Sequence, residues 1–311
     1  MIAWCHKASL AFDRFLFASC DPVMCSVLRI AVGLLASIYA LAWLPDAALW
    51  FSNEGVLQSK TAAILHNGQY KSLYFLLPQT SEVAFVSVML LLIQSVLLLL
   101  GVFSRFQAAC IFVLLTSLQH RNLLIVDGQD SVMRWLIFFL IFMPVDHAWS
   151  LWRWIRGGPP SMATQANAWA LRLVQIELTA IYFSTAIIKL TGATWRDGTA
   201  LYYVARMDDL FGRFWLPDVL FESAWTVKPI TWAVLAIEVA LPFALWIPRW
   251  RIGAIVTGFL LHLAIEYAMN IFLFEWLMMA GLIAFVRPTD FQRGKKVNGS
   301  EAGVDRPAAS G

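Results

Sequence analysis

The chain has 311 residues, of which 60% are hydrophobic and only 14% are charged. Its mean hydropathy is +0.68. A typical soluble domain has roughly 25% charged residues, so this composition argues against a soluble enzyme, a disordered chain and a nucleic-acid-binding protein. The net charge of +3 and the four cysteines indicate neither a nucleic-acid partner nor a disulfide framework. The sequence therefore predicts an all-α, polytopic protein whose surroundings are the lipid bilayer.

The first segment, residues 1–26, contains apolar and charged side chains at helical spacing. Cys5, Ala8, Phe12 and Phe15 recur on one face of such a helix. Charged residues interrupt the segment and no small-residue cleavage site follows, so it does not have the pattern of a signal peptide. We expect an amphipathic helix that lies in the membrane interface.

The segment 27–287 is expected to form the transmembrane domain. A bilayer core about 30 Å thick requires roughly 20 mostly apolar helical residues for each crossing. The stretch from 252 to 287 is interrupted by the polar Asn270, so it is interpreted as two helices. The expected transmembrane helical bundle then has about eight spans, over residues 27–45, 83–103, 107–123, 132–150, 168–190, 229–248, 252–268 and 271–287.

Basic residues in the short loops predict the orientation, because Lys and Arg are enriched on the cytoplasmic side. With eight spans, Arg105, Arg153 and Arg251 all lie on one face together with both termini. The termini are thus expected in the cytoplasm, and the membrane is the inner membrane if the source is bacterial. Residues 288–311 are polar and have no apolar period, which predicts a disordered cytoplasmic tail. The long connections expected on the outer face are residues 46–82 and 191–228.

Several polar residues occur within the fifth span. Tyr182, Thr185 and Lys189 lie close to one face of this helix, which would turn toward other helices rather than lipid. One interpretation is that Lys189, near the outer end, extends toward the headgroups as many terminal lysines do. The other is that an apolar pocket favours its neutral amine, which can then act as a base.

The seventh span carries a polar stripe of His262, Glu266 and Asn270 at positions i, i+4 and i+8. A buried functional face would explain it, because polar groups in a span are costly in contact with lipid. The alternative is an interhelical hydrogen-bond cluster that also includes Glu238 of the sixth span. No second His or Cys follows His262 at i+3 or i+4, so no metal is expected.

A third polar group lies near the outer ends of the third and fourth spans. Asp130 and Arg134, at i and i+4, are expected to form a structural pair. His120 has no comparable partner in the sequence. In the eight-span arrangement, His120, Lys189 and the stripe from Glu266 all approach the outer half of the membrane, which predicts one common site.

The connection after the fifth span is rich in aromatic residues, among them Trp195, Tyr202 and Trp215. Such a composition is typical of a segment that lies at the membrane interface. The same segment would equally form the roof of a site for a lipid-soluble ligand, and aromatic content does not separate the two interpretations.

Five segments in the same order resemble the family of the vitamin K-dependent gamma-carboxylase. The most specific match is Lys189-Leu-x-x-x-x-Trp195-x-x-Gly198. The resemblance covers about residues 20 to 287, the part often called the horizontally transferred transmembrane domain (HTTM). The five matching segments are Cys25–Gly33, Trp50–Leu57, Ser117–Asp130, Tyr182–Tyr203 and His262–Ile271.

The resemblance implies a lyase that couples oxygenation of a reduced quinone to carboxylation of a peptide Glu. Lys189 matches the amine that deprotonates the hydroquinone, and His262 and His120 match membrane histidines linked to activity. The expected cofactor is a quinol similar to vitamin K hydroquinone, with oxygen and carbon dioxide as co-substrates. The residues expected to bind the quinone or the substrate are Tyr182, Thr185, Trp195, Glu266 and Asn270.

The chain departs from the carboxylases in two respects. Animal carboxylases have a second Lys where this chain has Ile188, and they carry a large lumenal region that helps to recognise a propeptide. This chain extends only a short way beyond residue 287, like a compact bacterial-type member. A non-catalytic membrane factor, or a transporter-like scaffold for export or maturation of a secreted peptide, therefore stays open as the alternative function.

Overall fold

The computed structural model describes residues 2–65, 72–157, 166–207, 212, 214–287 and 290. The predicted all-α fold class is confirmed: two strands of two residues each, β1 (Ser19–Cys20) and β2 (Ala166–Asn167), form the described sheet. The α-helices are α1 (Ile2–Phe17), α2 (Pro22–Trp43), α3 (Ala47–Phe51), α4 (Ser59–Leu65), α5 (Ser81–Leu100), α6 (Ser104–Arg121), α7 (Gly128–Leu140), α8 (Leu151–Ile155), α9 (Trp169–Thr191), α10 (Ala193–Arg196), α11 (Ala200–Val204), α12 (Asp218–Phe221), α13 (Ala224–Ala244), α14 (Arg251–Ala268) and α15 (Phe274–Ile283).

Five of the described helices are long and apolar enough to cross a membrane, namely α2, α5, α9, α13 and α14. Helices α6, α7 and α15 coincide with the three remaining predicted spans, but they are shorter or less apolar. The predicted end of the span 132–150 is wrong, because α7 ends at Leu140. The irregular segment that follows contains Pro144, which lacks the N–H donor that a continuing helix would need. The count of eight spans, the interfacial position of α1 and the boundary at residue 27 stay predictions. The predicted tail, 288–311, lies outside the described residues except for Asp290.

The start of α7 shows how one predicted ion pair is arranged. Asp127 and Asp130 form a capping box, which satisfies backbone N–H groups at the helix start. The Asp130 carboxylate also accepts hydrogen bonds from the Tyr39 hydroxyl at 2.6 Å and from the Gln119 amide at 3.0 Å. Arg134 donates to Gln119 at 3.2 Å. The expected direct pair of Asp130 with Arg134 is thus replaced by a bridge through Gln119, whose amide both donates and accepts.

A buried arginine ties the first long connection to the bundle. Arg121, at the end of α6, is fully buried. Its Nε donates to Gln79 Oε1 at 2.6 Å, and its Nη2 donates to the carbonyl oxygen of Leu57 at 2.8 Å. The neighbouring Asn122 donates to the carbonyl oxygen of Trp50 at 3.0 Å. These bonds hold Trp50, Leu57 and Gln79 of the connection 46–82 against the end of α6.

The helices that carry the candidate site pack around α9. Helix α9 packs against α13, α7 and α15, and α14 packs against both α13 and α15. Apolar side chains such as Leu178, Leu261 and Met278 are buried between them. Helix α9 therefore meets three other helices, and the second long connection follows directly from its end.

Candidate functional site

A cavity of about 440 Å³ lies beside the C-terminal half of α9. Side chains of α9, α13, α14 and α15 line it, together with residues of the connection after α9. This volume lies in the range typical of small-molecule sites, roughly 300–1,000 Å³. Most of the wall is apolar, as the side chains of Ile181, Val234, Leu261, Phe274 and Met278 illustrate.

Lys189 on the cavity wall is held by a carboxylate from the next helix. Its Nζ donates to both carboxylate oxygens of Glu238 in α13, at 2.6 Å from Oε2. The exposed fraction is 24% for the Lys189 side chain and 7% for that of Glu238. Pro242 has no N–H, so the carbonyl of Glu238 receives no helical hydrogen bond one turn later. The amine is thus directed to the Glu238 carboxylate on α13.

The residues after Lys189 bring an aromatic ring over its amine. Gly192 is the C-cap of helix α9, and the short helix α10 follows it. Helix α10 places Trp195 beside Lys189, with 4.7 Å between the Lys189 Nζ and the centre of the Trp195 ring. Gly198 follows with φ of +82°, where a Cβ would lie 2.9 Å from Cγ of Lys228. A glycine is required there by both conformation and space. The spacing Lys-Leu-x-x-x-x-Trp-x-x-Gly thus encodes a tight return of the chain to the cavity.

A second polar group on the wall consists of Tyr182, His262 and Glu275, from α9, α14 and α15. The Tyr182 hydroxyl lies 2.5 Å from Nε2 of His262, and Nδ1 of His262 bonds to Oε2 of Glu275. Their exposed fractions are 2%, 4% and 2%. We call these residues the Tyr-His-Glu triad. It resembles other arrangements in which a carboxylate orients an imidazole that contacts a hydroxyl.

Three of the residues expected at the site lie outside the cavity wall that the described residues form. Glu266 accepts a hydrogen bond from Nε1 of Trp276 at 2.9 Å. The prediction that Asn270 continues the stripe on the seventh span is wrong, because α14 ends two residues earlier, Met269 adopts extended backbone, and Asn270 is exposed. His120 is half-buried on α6, with Nδ1 2.8 Å from a carbonyl oxygen of its own helix.

The structure thus brings together five of the residues selected from the sequence. Thr185 lines the cavity beside the two polar groups, and its hydroxyl donates to a carbonyl of its own helix. The selected residues on the wall are Tyr182, Thr185, Lys189, Trp195 and His262. Glu275 was not among the residues selected from the sequence, although it is a carboxylate inside an apolar span, as Glu238 is. In the part of the chain that the structure describes, no group of three or more His, Cys, Asp or Glu side chains has the arrangement of a metal site.

The aromatic connection supplies part of the cavity wall. Leu216 and Phe221 line the cavity. Trp215, Val219 and Trp225 are 72%, 73% and 90% exposed, so other apolar groups of this segment point outward. The expected position of this segment at the membrane interface stays a prediction.

Comparison with known proteins gives a family match and curated relatives. The HTTM domain family matches residues 17–289. The chain is 26% identical over 177 residues to "Uncharacterized protein YitO" of Bacillus subtilis (strain 168). The aligned region covers 54% of this chain and 56% of that protein. It is 27% identical over 173 residues to "Sporulation-delaying protein SdpB" of the same organism, covering 53% of each.

The chain spans about half the length of the curated relatives that it matches. No solved structure matches it. The family match covers most of the chain, and the apolar helices are those of an integral membrane protein. The chain therefore belongs to the HTTM domain family of membrane proteins.

Proposed function

We propose that the chain is an integral-membrane enzyme similar to the vitamin K-dependent gamma-carboxylase, and that it binds a reduced quinone in the cavity beside Lys189. In this proposal the Lys189 amine takes a proton from a quinol hydroxyl. The observation that carries the proposal is the pair of Lys189 with Glu238 on the wall of a largely apolar cavity.

The cavity has the properties that a quinol requires. Its wall is mostly apolar, which suits a lipid-soluble ring system, and Trp195 supplies an aromatic surface beside the amine. A few polar groups in an apolar pocket are the usual means of fixing the orientation of a ligand. The side chains of Lys189 and Tyr182 both reach this space, so hydroxyl groups on the ligand have partners.

The pair of Lys189 with Glu238 can supply the neutral amine that a base must have. In a largely apolar cavity the charged forms of both groups are poorly solvated. Transfer of one proton from Nζ to the carboxylate of Glu238 converts the ion pair into two neutral groups. The free amine can then accept a proton from a hydroxyl group, while Glu238 retains the first proton and stays hydrogen-bonded to Nζ.

A bound reduced quinone would supply the hydroxyl proton and, with oxygen and carbon dioxide as co-substrates, the oxidative chemistry that the family resemblance implies. The carboxylation of a Glu in a secreted peptide, or related chemistry, is the final step in this proposal. Its support is the Lys189 to Gly198 segment. The apolar wall and the roof that includes Phe221 would limit access of water to the reacting groups.

Membranes that contain the protein provide the test. They would be supplied with vitamin K hydroquinone, oxygen, labelled bicarbonate and a Glu-containing peptide, and both quinone epoxide and peptide-bound label would be measured. We expect both products with the unmodified chain and neither with Lys189→Met. The matched control is Lys228→Met, because Lys228 lies on α13 outside the cavity. Equal product from Lys189→Met and the unmodified chain would contradict the proposal.

One observation favours the alternative, a non-catalytic membrane factor or transporter-like scaffold for a secreted peptide. Lys189 and Glu238 join two adjacent helices, as a purely structural ion pair would. The double variant Lys189→Met with Glu238→Met separates the two functions. If it is folded and still supports export or maturation of the partner, the scaffold function is favoured; if it is folded and loses an epoxide formation that the unmodified chain shows, the enzyme function is favoured.

A further inference from the structure

The Tyr-His-Glu triad lies on the same cavity wall as Lys189 but has no part in the proton transfer proposed above. We infer that this triad is a second proton acceptor, and that the ligand of the cavity is a diphenol with two free hydroxyl groups, one for each acceptor. The inference rests on the proposed function, because it extends the same site to its second polar group.

The hydrogen-bond directions within the triad follow from its chemistry. The carboxylate of Glu275 only accepts, so Nδ1 of His262 must carry the hydrogen between them. In the neutral imidazole, Nε2 is then without a hydrogen and accepts from the Tyr182 hydroxyl, 2.5 Å away. The phenol oxygen of Tyr182 therefore keeps a lone pair with which it can accept a hydrogen bond from a ligand in the cavity.

Proton transfer along this path is balanced without any other reactant. As the Tyr182 oxygen accepts the ligand's hydroxyl proton, the Tyr182 proton moves to Nε2 of His262. The products are a ligand oxygen anion, an unchanged phenol and an imidazolium paired with Glu275. Tyr182 would contact the ligand directly, whereas Glu275 is a positioning residue that orients and stabilises His262.

The two acceptors have the same construction and share one face of α9. Tyr182 and Lys189 are two helical turns apart, which is about 10 Å along the axis. A carboxylate from a neighbouring helix supports each one, Glu238 from α13 and Glu275 from α15. The titratable side chains on the part of the wall that the structure describes are Tyr182, Lys189, Glu238, His262 and Glu275. A ligand with one hydroxyl would leave one acceptor without a partner, so the cavity should discriminate against it.

The unmodified protein gives the first test, for which no variant has to fold. Menadiol, a small naphthohydroquinone, and its two monomethyl ethers would be labelled with tritium and bound to the full chain in nanodiscs, under dithionite and without oxygen. We expect the diol to bind about tenfold more tightly than either ether, since each ether lacks one hydrogen bond. Either ether binding as tightly as the diol would overturn the inference, because one hydroxyl would then be enough.

Removal of the phenol oxygen gives the second test. Tyr182→Phe should weaken menadiol binding about tenfold and leave binding of the more tightly bound ether unchanged. The matched control is Tyr39→Phe, because the Tyr39 hydroxyl is also buried and donates to a side chain, the carboxylate of Asp130, but lies outside the cavity. The inference is wrong if Tyr182→Phe binds the diol as tightly as the unmodified chain does. It is also wrong if the substitution weakens binding of the diol and of both ethers equally.

The role of Glu275 has its own readout. The ratio of bound menadiol anion to bound neutral diol would be measured by absorbance at a fixed pH. Glu275→Gln removes the charge that stabilises the imidazolium, so this ratio should fall about tenfold while affinity for the neutral diol is retained. The control is Glu266→Gln, a buried carboxyl on α14 outside the cavity. An unchanged ratio in Glu275→Gln, or an equal fall in Glu266→Gln, would contradict the positioning role.

These experiments separate the inference from the proposed function. Binding and anion formation are measured without oxygen, so they do not depend on catalytic turnover. Absence of epoxide from the unmodified chain would contradict the enzyme function alone, whereas one ether binding as tightly as the diol, with the other ether weaker, would contradict the second acceptor alone.

Discussion

Each ionisable side chain on the cavity wall has a partner from a different helix. Lys189 bonds to Glu238, and His262 bonds to both Tyr182 and Glu275. A charged group in an apolar bundle costs free energy unless another group compensates it, and this pairing explains how one cavity holds several such groups. The same pairing keeps protons close to the positions where a ligand would give them up.

The pair of Lys189 with Glu238 should show strong coupling in unfolding measurements. Lys189→Met leaves Glu238 as an unpaired buried group, and Glu238→Met leaves the amine unpaired. We expect each single variant to lower the free energy of unfolding by about 1–3 kcal/mol, and the double variant to be less destabilised than the sum of the two. Unfolding in detergent would measure this, and strictly additive effects would argue against a direct interaction.

The return of the chain at Gly198 should depend on the absence of a side chain. Gly198→Ala adds the cost of a positive φ to a contact with Lys228, so we expect a loss of about 2–3 kcal/mol in stability. Gly157 is the matched control, because its φ is +66° but no atom lies within 4 Å of a Cβ placed there. Gly157→Ala should cost only about 1 kcal/mol. Equal losses would show that the contact with Lys228 has no effect.

At individual residues, the sequence predicts which side chains are unusual better than it predicts their partners. Lys189 and His262 stand out because polar groups are rare in apolar spans, and both line the cavity. Periodicity placed Glu266 and Asn270 with them on the assumption that the helix continues. Periodicity alone does not show that α14 ends at Ala268, or that Trp276 of the next helix donates a hydrogen bond to Glu266.

Among the secondary-structure elements, α2 and α5 pack closely against each other at a glycine. A Cβ on Gly33 would lie 2.8 Å from both Cα and N of Leu99. Because those are backbone atoms, the two helices would have to move apart to admit a methyl group.

Gly33→Ala should therefore destabilise the protein by about 1–3 kcal/mol, as overpacking of a close contact does. Gly253 in α14 provides the control, since no atom lies within 4 Å of its Cβ position. Gly253→Ala should stabilise the protein by about 0.5–1 kcal/mol, because alanine favours a helix more than glycine does. Unfolding midpoints that shift in the same direction would contradict this account of the α2 and α5 contact.

Apolar length predicts where the helices lie but not where all of them end. The positions of α2, α5, α9, α13 and α14 follow from long apolar runs. The short helices α3, α4 and α10 to α12 were not predicted, because tertiary contacts position segments too short to show a period. The bonds of Arg121 to the connection 46–82 are such contacts, and they join residues distant in the sequence.

Across the whole molecule, the distribution of basic residues predicts that both termini face the cytoplasm. Single cysteines in a chain whose four native cysteines have been replaced would test this in intact bacterial cells. We expect an impermeant maleimide to label Lys60→Cys, in the connection 46–82, without permeabilisation. Arg156→Cys should be labelled only after permeabilisation. The reverse pattern would contradict the orientation.

The central claim is that the cavity beside Lys189 is the place where a quinol hydroxyl loses its proton. The most direct measurement is the rate of epoxide formation from vitamin K hydroquinone and oxygen, with equal amounts of folded unmodified protein, Lys189→Met and Lys228→Met in nanodiscs. Removal of a general base should lower the rate by about 10²–10⁴-fold in Lys189→Met and leave Lys228→Met unchanged. Equal rates in all three proteins would contradict the account.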